Sequence, residues 1–329
     1  MNRRAFLVGM GSGVSAGLLR AAGRERTFEI TTKVQVEPGA GPTRLWMPGI
    51  LRAGVSFQRV VSERVEAGAG RAEVTGATRD GLRVLSVAFP AGVAASLTVT
   101  SVVTRLEYSV DLNRAGGGAG KIPDYFLRAT KLLPTDGIVK TTAMEITRAA
   151  QTDLEKARAI YDWIVENTFR DPKVRGCGLG DIRFMLESRD LGGKCADLNA
   201  LFVGLARAAG LPARDVYGIR TGPGVITRSQ HCRAEVFLAG YGWVPVDPAD
   251  VRKAALEEGP AKMAEARTRL FGAWDTNWIA YNFAHDVKLA GSGGKTLGYL
   301  MYPQAETAGV RRDSLEPDTF RYSIAAQEI

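Results

Sequence analysis

The sequence predicts an α+β fold, in which an N-terminal antiparallel β-sandwich precedes a core with a long helix packed on an antiparallel sheet. Runs such as residues 28–36 and 97–104 alternate or are rich in β-branched residues, with Gly and Pro between them. Helical periodicity begins near Thr141, after the glycine-rich segment 113–120. With 329 residues, 45% of them hydrophobic, the chain is long enough to bury more than one core.

These composition changes divide the chain into five expected segments. They are a signal segment (1–24), a β-sandwich domain (25–112), a linker and connecting segment (113–140), a central core (141–250) and a C-terminal extension that packs on the core (251–329).

The N-terminus resembles a bacterial twin-arginine export signal. Arg3 and Arg4 precede Phe6 and Leu7, and a short, glycine-rich apolar stretch continues to Leu19. The stretch is too short for a convincing transmembrane helix, and residues 21–23 offer a cleavage region. We therefore expect a periplasmic or secreted protein, with tethering by an uncleaved signal as the minor alternative.

The charge pattern indicates no nucleic-acid partner. The formal charge is +8, and removal of residues 1–23, with three arginines and no acids, leaves +5. No basic run is interleaved with aromatic residues, and no later segment is apolar enough to span a membrane. No cofactor-binding motif is present, and the oligomeric state cannot be read from the sequence.

A cysteine stands at a predicted helix start. Cys195 follows a glycine pair and precedes an apolar face formed by residues 198, 201, 202, 205 and 209, with Arg207 away from that face. Gly210 and Pro212 end the helix. The helix dipole and free N–H groups favour a thiolate at this position, whereas Asp197 is interpreted as a cap of the first turn. Cys195 is therefore a candidate nucleophile.

A candidate base and its partner lie on a predicted hairpin. Residues 233–238 and 243–246 read as strands, and the turn at 239–242 contains two glycines. The hairpin brings His231 close to Asp247, which we expect to accept the Nδ1 proton and leave Nε2 facing the sulfur. Asp250 is the fallback partner. The only other histidine, His285, reads as a structural residue.

At these motifs the sequence resembles the transglutaminase-like superfamily of papain-fold cysteine enzymes, over about residues 140–250. The matching segments are the helix at 153–165, Gly193 to Asp197 with residues 207–214, and the two strands that carry His231 and Asp247. The resemblance implies a nucleophile helix on an antiparallel sheet, with Cys195 as nucleophile, His231 as general base and acid, and Asp247 as orienter. It also implies an oxyanion site built from the Cys195 N–H and a second donor, to be sought in residues 167–181.

From this resemblance and the export signal we expect an exported, cysteine-dependent amide or peptide hydrolase that forms a thioester. Its substrate would be a peptide or protein, with cell-envelope peptides as one candidate. A transamidase of the protein-glutamine type is one alternative, because an amine acceptor could replace water. A non-catalytic binding or scaffold protein of the cell envelope is the other.

Two features stay open at the level of sequence. Cys177 and Cys232 either form a disulfide that leaves Cys195 free, or Cys177 borders the active site, and Cys232 is expected to point away from it because it follows His231 on a strand. A zinc site from these residues is weaker, since no C-x-x-C pair exists. The aromatic residues between 271 and 302 either line a substrate cleft or cover the core.

Overall fold

The structure is a computed structural model that describes residues 25–114, 123–294 and 296–329. The predicted export signal lies outside the described residues, as does most of the glycine-rich linker. The α+β prediction is confirmed, because the chain combines mainly antiparallel sheets with a small number of helices. None of the helices in the described ranges is long and apolar enough to cross a membrane.

The strands of the described ranges form two large sheets, a smaller sheet and two short pairs. In chain order they are β1 (Glu25–Val36), β2 (Thr43–Pro48), β3 (Gln58–Glu66), β4 (Arg71–Val74), β5 (Val84–Phe89), β6 (Ala95–Leu106), β7 (Tyr108–Ser109), β8 (Phe169–Arg170), β9 (Gly192–Gly193), β10 (Ala213–Arg220), β11 (Gly224–Val225), β12 (Gln230–Leu238), β13 (Gly242–Val246), β14 (Ala273–Trp274), β15 (Trp278–Asn282), β16 (Gln304–Thr307), β17 (Val310–Arg312) and β18 (Phe320–Glu328).

The helices of the described ranges all lie between β7 and β14 in sequence, interspersed with β8 to β13. They are α1 (Gly137–Thr147), α2 (Asp153–Asn167), α3 (Ile182–Ser188), α4 (Cys195–Ala208), α5 (Pro248–Glu257) and α6 (Pro260–Arg269), preceded by a 3-10 turn at Asp124–Leu127. Helix α2 begins with a capping box between Thr152 and Glu155, so its start is specified locally.

The β-sandwich consists of two five-stranded antiparallel sheets, ordered β11-β18-β1-β6-β3 and β17-β16-β2-β5-β4. Alternate residues of β1 and β6, among them Val34 and Leu97, are buried against Leu45, Val87 and other residues of the second sheet. The alternation seen in the sequence is therefore the inward and outward alternation of a sandwich.

The C-terminal extension completes this sandwich. Strand β18 pairs with β1 along nine residues, and β16 pairs with β2. Strand β15, from the same extension, instead pairs with β10 in the central sheet. The extension therefore joins both sheets of the sandwich to the core.

The core sheet has the order β13-β12-β10-β15, and α4 contacts β12 and β10. Every residue of α4 is buried, because α1, α2, α3 and α5 also pack against this helix. Arg207, which the sequence places away from the apolar face of α4, is nevertheless buried. Its guanidinium donates to the carbonyls of Ala213 and Arg128 at 2.8 and 3.1 Å, so backbone acceptors take the place of water.

The predicted hairpin is present. Strand β12 pairs with β13 from Ala234 to Leu238, and Gly240 and Gly242 have φ values of 85° and 78°, which glycine adopts readily. The hairpin ends at Asp247, and helix α5 begins at the next residue.

Candidate active site

Cys195 is the first residue of α4 and is 2% exposed. Two residues further on, the Asp197 carboxylate accepts hydrogen bonds from the backbone N–H groups of Lys194, Leu179 and Gly180, each at 2.9 Å. Asp197 therefore caps the helix, as predicted, and also ties the loop at 177–180 to the helix start. Burial raises the pKa of Asp197, and the backbone donors oppose this effect.

The loop at 177–180 requires glycine at its centre. Gly178 has a φ of 95°, and a Cβ on this residue would lie 1.8 Å from Asp197 Oδ2. The side chain of Asp197 thus occupies the space that any other residue at 178 would need.

His231 and Asp247 meet as the hairpin predicts. His231 Nε2 lies 2.7 Å from Asp247 Oδ2, and both side chains are buried. The other oxygen of Asp247 caps α5 by accepting the Asp250 N–H at 3.1 Å, and it accepts the Asn199 amide at 3.3 Å. Asp247 therefore orients the imidazole from a position that the α5 cap and Asn199 hold in place.

The prediction for the two ring nitrogens is wrong. Nε2, and not Nδ1, contacts Asp247, so Nδ1 is the nitrogen left for the Cys195 sulfur. Asp247 is the N-cap of α5, beyond the end of β13, and its carboxylate meets the ring at Nε2, the nitrogen farther from the backbone of His231. The roles of the two residues are unaffected by the exchange.

The prediction for Cys232 is also wrong. All three cysteines are free thiols, and the Cys232 thiol contacts the Cys195 thiol instead of pointing away from it. Strand β13 pairs with β12 only from Ala234 onward, so one edge of β12 is open at His231 and Cys232. The side chains of His231 and Cys232 both contact the Cys195 thiol.

The charges around His231 favour the imidazolium. Burial lowers the pKa of His231, and so does Arg220, but the Asp250 and Asp247 carboxylates outweigh them and raise it above the ordinary value. Asp250 Oδ2 lies 3.6 Å from Nε2, and its other oxygen pairs with Arg220. The fallback partner of the sequence analysis is thus a second carboxylate beside the same ring.

The surroundings of Cys195 favour the thiolate. Hydrogen bonds from the Cys177 and Cys232 thiols, together with the hydrogen bond and charge of His231, hold the pKa of Cys195 well below its usual range although burial opposes them. A low thiol pKa beside a raised imidazole pKa is the electrostatic arrangement of a thiolate–imidazolium pair.

Two tryptophans that the sequence left without a role support the strands of the site. Trp278 Nε1 donates to the His231 carbonyl at 2.8 Å, and Trp274 Nε1 donates to the Val246 carbonyl at 3.2 Å. Both indoles are buried in a cluster with Phe57 and Phe283. Trp274 and Trp278 are therefore C-terminal aromatic residues that cover the core. No local pattern in the sequence indicates which backbone carbonyls their indoles contact.

Other C-terminal aromatics line a cleft. A cavity of about 890 Å³ is bounded by Cys177, Gly178, Tyr299 and Tyr302, together with the exposed apolar side chain of Leu179. Tyr299 donates to the Gly178 carbonyl at 2.7 Å, and the Cys177 carbonyl accepts the Ala196 N–H at 2.9 Å. The wall that separates the cleft from Cys195 is therefore the turn at 176–178.

The arrangement of donor atoms suits proton transfer. Within the described ranges, the ligand atoms of His231, Asp247 and Asp250 form a group within 4.8 Å of one another that a metal ion would fit, and the cysteines are not part of it. These atoms are already paired with each other and with Arg220 and Arg233, the latter at 3.5 Å from Asp247 Oδ2. The other histidine, His285, is buried beside Asp215 at 3.1 Å, outside this group.

The chain is similar to several known proteins. The sequence model of the transglutaminase-like superfamily matches residues 140–248. An uncharacterised protein of Haemophilus influenzae is 38% identical over 249 residues, which are 68% of this chain and 64% of that protein. The chain thus spans somewhat less than two thirds of the length of this relative.

One of the similar solved structures shares the fold. A candidate cysteine protease from Cytophaga hutchinsonii aligns with 93% of this chain and 91% of its own, at 16% identity and a TM-score of 0.56. The periplasmic domain of TgpA from Pseudomonas aeruginosa aligns with 72% of this chain and 75% of its own, at 20% identity and a TM-score of 0.37, which is too low to support further conclusions. Residues 140–248 therefore form a domain of the transglutaminase-like type, and the structure from Cytophaga hutchinsonii shares the fold.

Proposed function

We propose that the protein is a cysteine-dependent amide or peptide hydrolase with Cys195, His231 and Asp247 as its catalytic triad. The observation that carries the proposal is the joint placement of these three groups: a thiol at a helix start, a histidine against it, and a carboxylate 2.7 Å from the far nitrogen of that histidine. The lowered pKa of the Cys195 thiol and the raised pKa of the His231 imidazole, side by side, are typical of a catalytic pair.

Each group has a defined task in this mechanism. The Cys195 thiolate attacks the amide carbonyl carbon, and the Cys195 N–H at the start of α4 donates to the oxyanion that forms. Imidazolium His231 gives its proton to the leaving amine, so the C–N bond breaks and a thioester remains. His231 then takes a proton from water as the water attacks the thioester, and the acid leaves with the Cys195 thiolate restored. Asp247 holds the ring and stabilises its positive charge throughout.

The cleft supplies the place for a peptide. Its volume of about 890 Å³ suits several residues of an extended chain, and apolar Leu179 and Phe184 line it together with the carboxylates of Asp171 and Asp190. Cys195 is buried and does not line the cleft, whereas Cys177 and Gly178 of the turn at 176–178 do. Because the cleft is large enough for several residues, peptide or protein substrates are proposed in preference to small amides.

We place this activity outside the cytoplasm. The support is the pair Arg3 and Arg4 ahead of a short apolar stretch, which is typical of twin-arginine export. Cell-envelope peptides are then among the substrates to be tried.

The test is the turnover of a peptide mixture by the purified protein, followed by mass spectrometry, with Cys195→Ala as the control. New carboxyl termini that appear with the natural protein and not with Cys195→Ala support the hydrolase. Addition of methylamine separates the alternatives, because a transamidase would convert the same acyl groups to methylamides. A protein that releases no product but binds the peptides equally well with either residue at 195 would be a binding protein, which contradicts the proposal.

A further inference from the structure

Cys177 lies beside the nucleophile, and the mechanism above does not use it. The residue is 6% exposed and sits in the turn between the cleft and Cys195. Its carbonyl accepts the N–H of Ala196, the residue after the nucleophile, at 2.9 Å. This bond fixes the backbone of Cys177 next to the first turn of α4.

The thiol of Cys177 is held by further polar contacts. The Tyr302 hydroxyl donates to Cys177 Sγ at 3.0 Å, and Sγ lies 3.3 Å from the carbonyl oxygen of Gln230, the residue before His231. The Cys195 sulfur is a second acceptor for the same S–H. A charged acceptor forms a stronger hydrogen bond than a neutral one, so ionisation of Cys195 draws the S–H of Cys177 from the Gln230 carbonyl to the thiolate.

Both donors of this chain keep their protons. The contact with Cys195, reinforced by burial, raises the pKa of Cys177 well above the usual range of a thiol. Burial likewise raises the pKa of Tyr302. At the pH where Cys195 ionises, Cys177 and Tyr302 therefore remain neutral donors, and each bond in the chain polarises the next.

We propose that Cys177 is a positioning residue for the nucleophile: its thiol, oriented by Tyr302, donates a hydrogen bond to the Cys195 thiolate of the resting enzyme. The inference rests on the proposed function, since it assigns Cys177 a task in preparing the same nucleophile. Its chemistry is a hydrogen bond alone, and no covalent step is involved.

Other titratable groups lie near the two thiols, and the variants used in the test leave these residues unchanged. Those around Cys195 are Cys232, His231, Asp197 and Arg220. Those around Cys177, besides Tyr302, are Arg170, Tyr299 and Tyr322.

The test measures the rate of Cys195 alkylation by iodoacetamide as a function of pH, with peptide mapping by mass spectrometry to assign the modified thiol. The midpoint of this profile reports ionisation of Cys195, whereas changed access through the turn alters only the plateau. The variants are Cys177→Ala, Cys177→Ser and Tyr302→Phe. Tyr281→Phe is the matched control, because it removes a hydroxyl from a buried tyrosine that lines a different cavity with Ile30 and Met301.

For Cys177→Ala we expect the midpoint to rise by about one pH unit, which is about a tenfold loss of alkylation rate below the midpoint. Cys177→Ser keeps a donor and should lie closer to the natural protein. Tyr302→Phe should move the midpoint in the same direction by less, and Tyr281→Phe should not move it. Unchanged midpoints in Cys177→Ala and Tyr302→Phe overturn the inference.

The outcome separates the inference from the proposed function. If Cys177→Ala fails to fold, as shown by its circular dichroism, the difference between Tyr302→Phe and Tyr281→Phe decides, and equal midpoints for that pair overturn the inference. Peptide turnover is measured independently. Turnover by the natural protein with an unmoved midpoint in Cys177→Ala refutes the role of Cys177 alone, whereas a moved midpoint without any turnover refutes the hydrolase alone.

Discussion

Replacement of Asp247 by Asn tests the triad against the neighbouring carboxylate, Asp250. Asp247 lies 2.7 Å from His231 Nε2, and Asp250 lies 3.6 Å from the same atom and pairs with Arg220. Asn is as good a helix cap as Asp, so Asp247→Asn should preserve α5. The change removes one of the two carboxylate charges that raise the pKa of His231, and it also removes the charged acceptor that orients the ring.

The expected loss follows from these contacts. A hydrogen bond to a charged group contributes about 1.5–3 kcal/mol, which corresponds to roughly 10- to 150-fold in rate. Loss of the correct ring orientation can bring the decrease in kcat/KM to about 10⁴-fold. We therefore expect Asp247→Asn to lower kcat/KM for a peptide substrate by roughly 10- to 10⁴-fold at every pH.

Asp250→Asn is the matched control. It leaves the 2.7 Å contact in place, but Arg220 loses its partner and then lowers the pKa of His231 further. The alkaline limb of the activity profile should move to lower pH, while the maximum stays within about tenfold of the natural protein. The assay is peptide turnover from pH 5 to 10, with thermal melts to show that both variants fold. A loss of less than threefold in Asp247→Asn, or equal losses in the two variants, would refute the assignment of Asp247 as orienter.

Three further predictions concern pH and stability. The profile of kcat/KM against pH should be bell-shaped. Its acid limb should lie below the ordinary thiol range because the pKa of Cys195 is lowered, and its alkaline limb should lie above the ordinary imidazole range because the pKa of His231 is raised. A single rise in activity near about pH 8.5 would contradict this prediction. Asp197→Ala leaves three backbone N–H donors without their acceptor. The free energy of unfolding, measured by urea titration, should therefore fall by about 3–6 kcal/mol. A decrease of less than about 1 kcal/mol would show that Asp197 does not hold the loop at 177–180 to the helix start. Gly178→Ala should lower the free energy of unfolding by about 2 kcal/mol more than Gly210→Ala does. Both glycines have positive φ, but only a Cβ at residue 178 would collide with the side chain of Asp197. Equal losses of stability in the two variants would contradict this steric role of Asp197.

Local patterns predicted much of the site. The helix start at Cys195, the cap by Asp197 and the hairpin that joins His231 to Asp247 each depend on neighbours within a few residues or on one turn, so periodicity and turn chemistry specify them. The ring nitrogen that faces Asp247 was predicted wrongly because it depends on where α5 begins relative to the sheet, and the direction of Cys232 because it depends on where β13 stops pairing.

Long-range packing accounts for what the sequence could not show. Arg207 is buried because four other helices enclose α4, although its own helix has an amphipathic pattern. The contact of Trp278 with the His231 carbonyl joins residues 47 positions apart, and the contact of Tyr302 with Cys177 joins residues 125 positions apart. Single-sequence patterns carry no information on such pairs, so the cleft became visible only in three dimensions.

If Cys195 is an ionised nucleophile paired with His231, its thiolate should be visible in the ultraviolet absorbance near 240 nm. This absorbance is measured as a function of pH, as the difference between the natural protein and Cys195→Ser. We expect a thiolate step well below the ordinary thiol pKa of about 8.5, and a shift of this step to higher pH in His231→Ala. A step at or above about 8.5 that is unchanged by His231→Ala would show that Cys195 and His231 do not form such a pair.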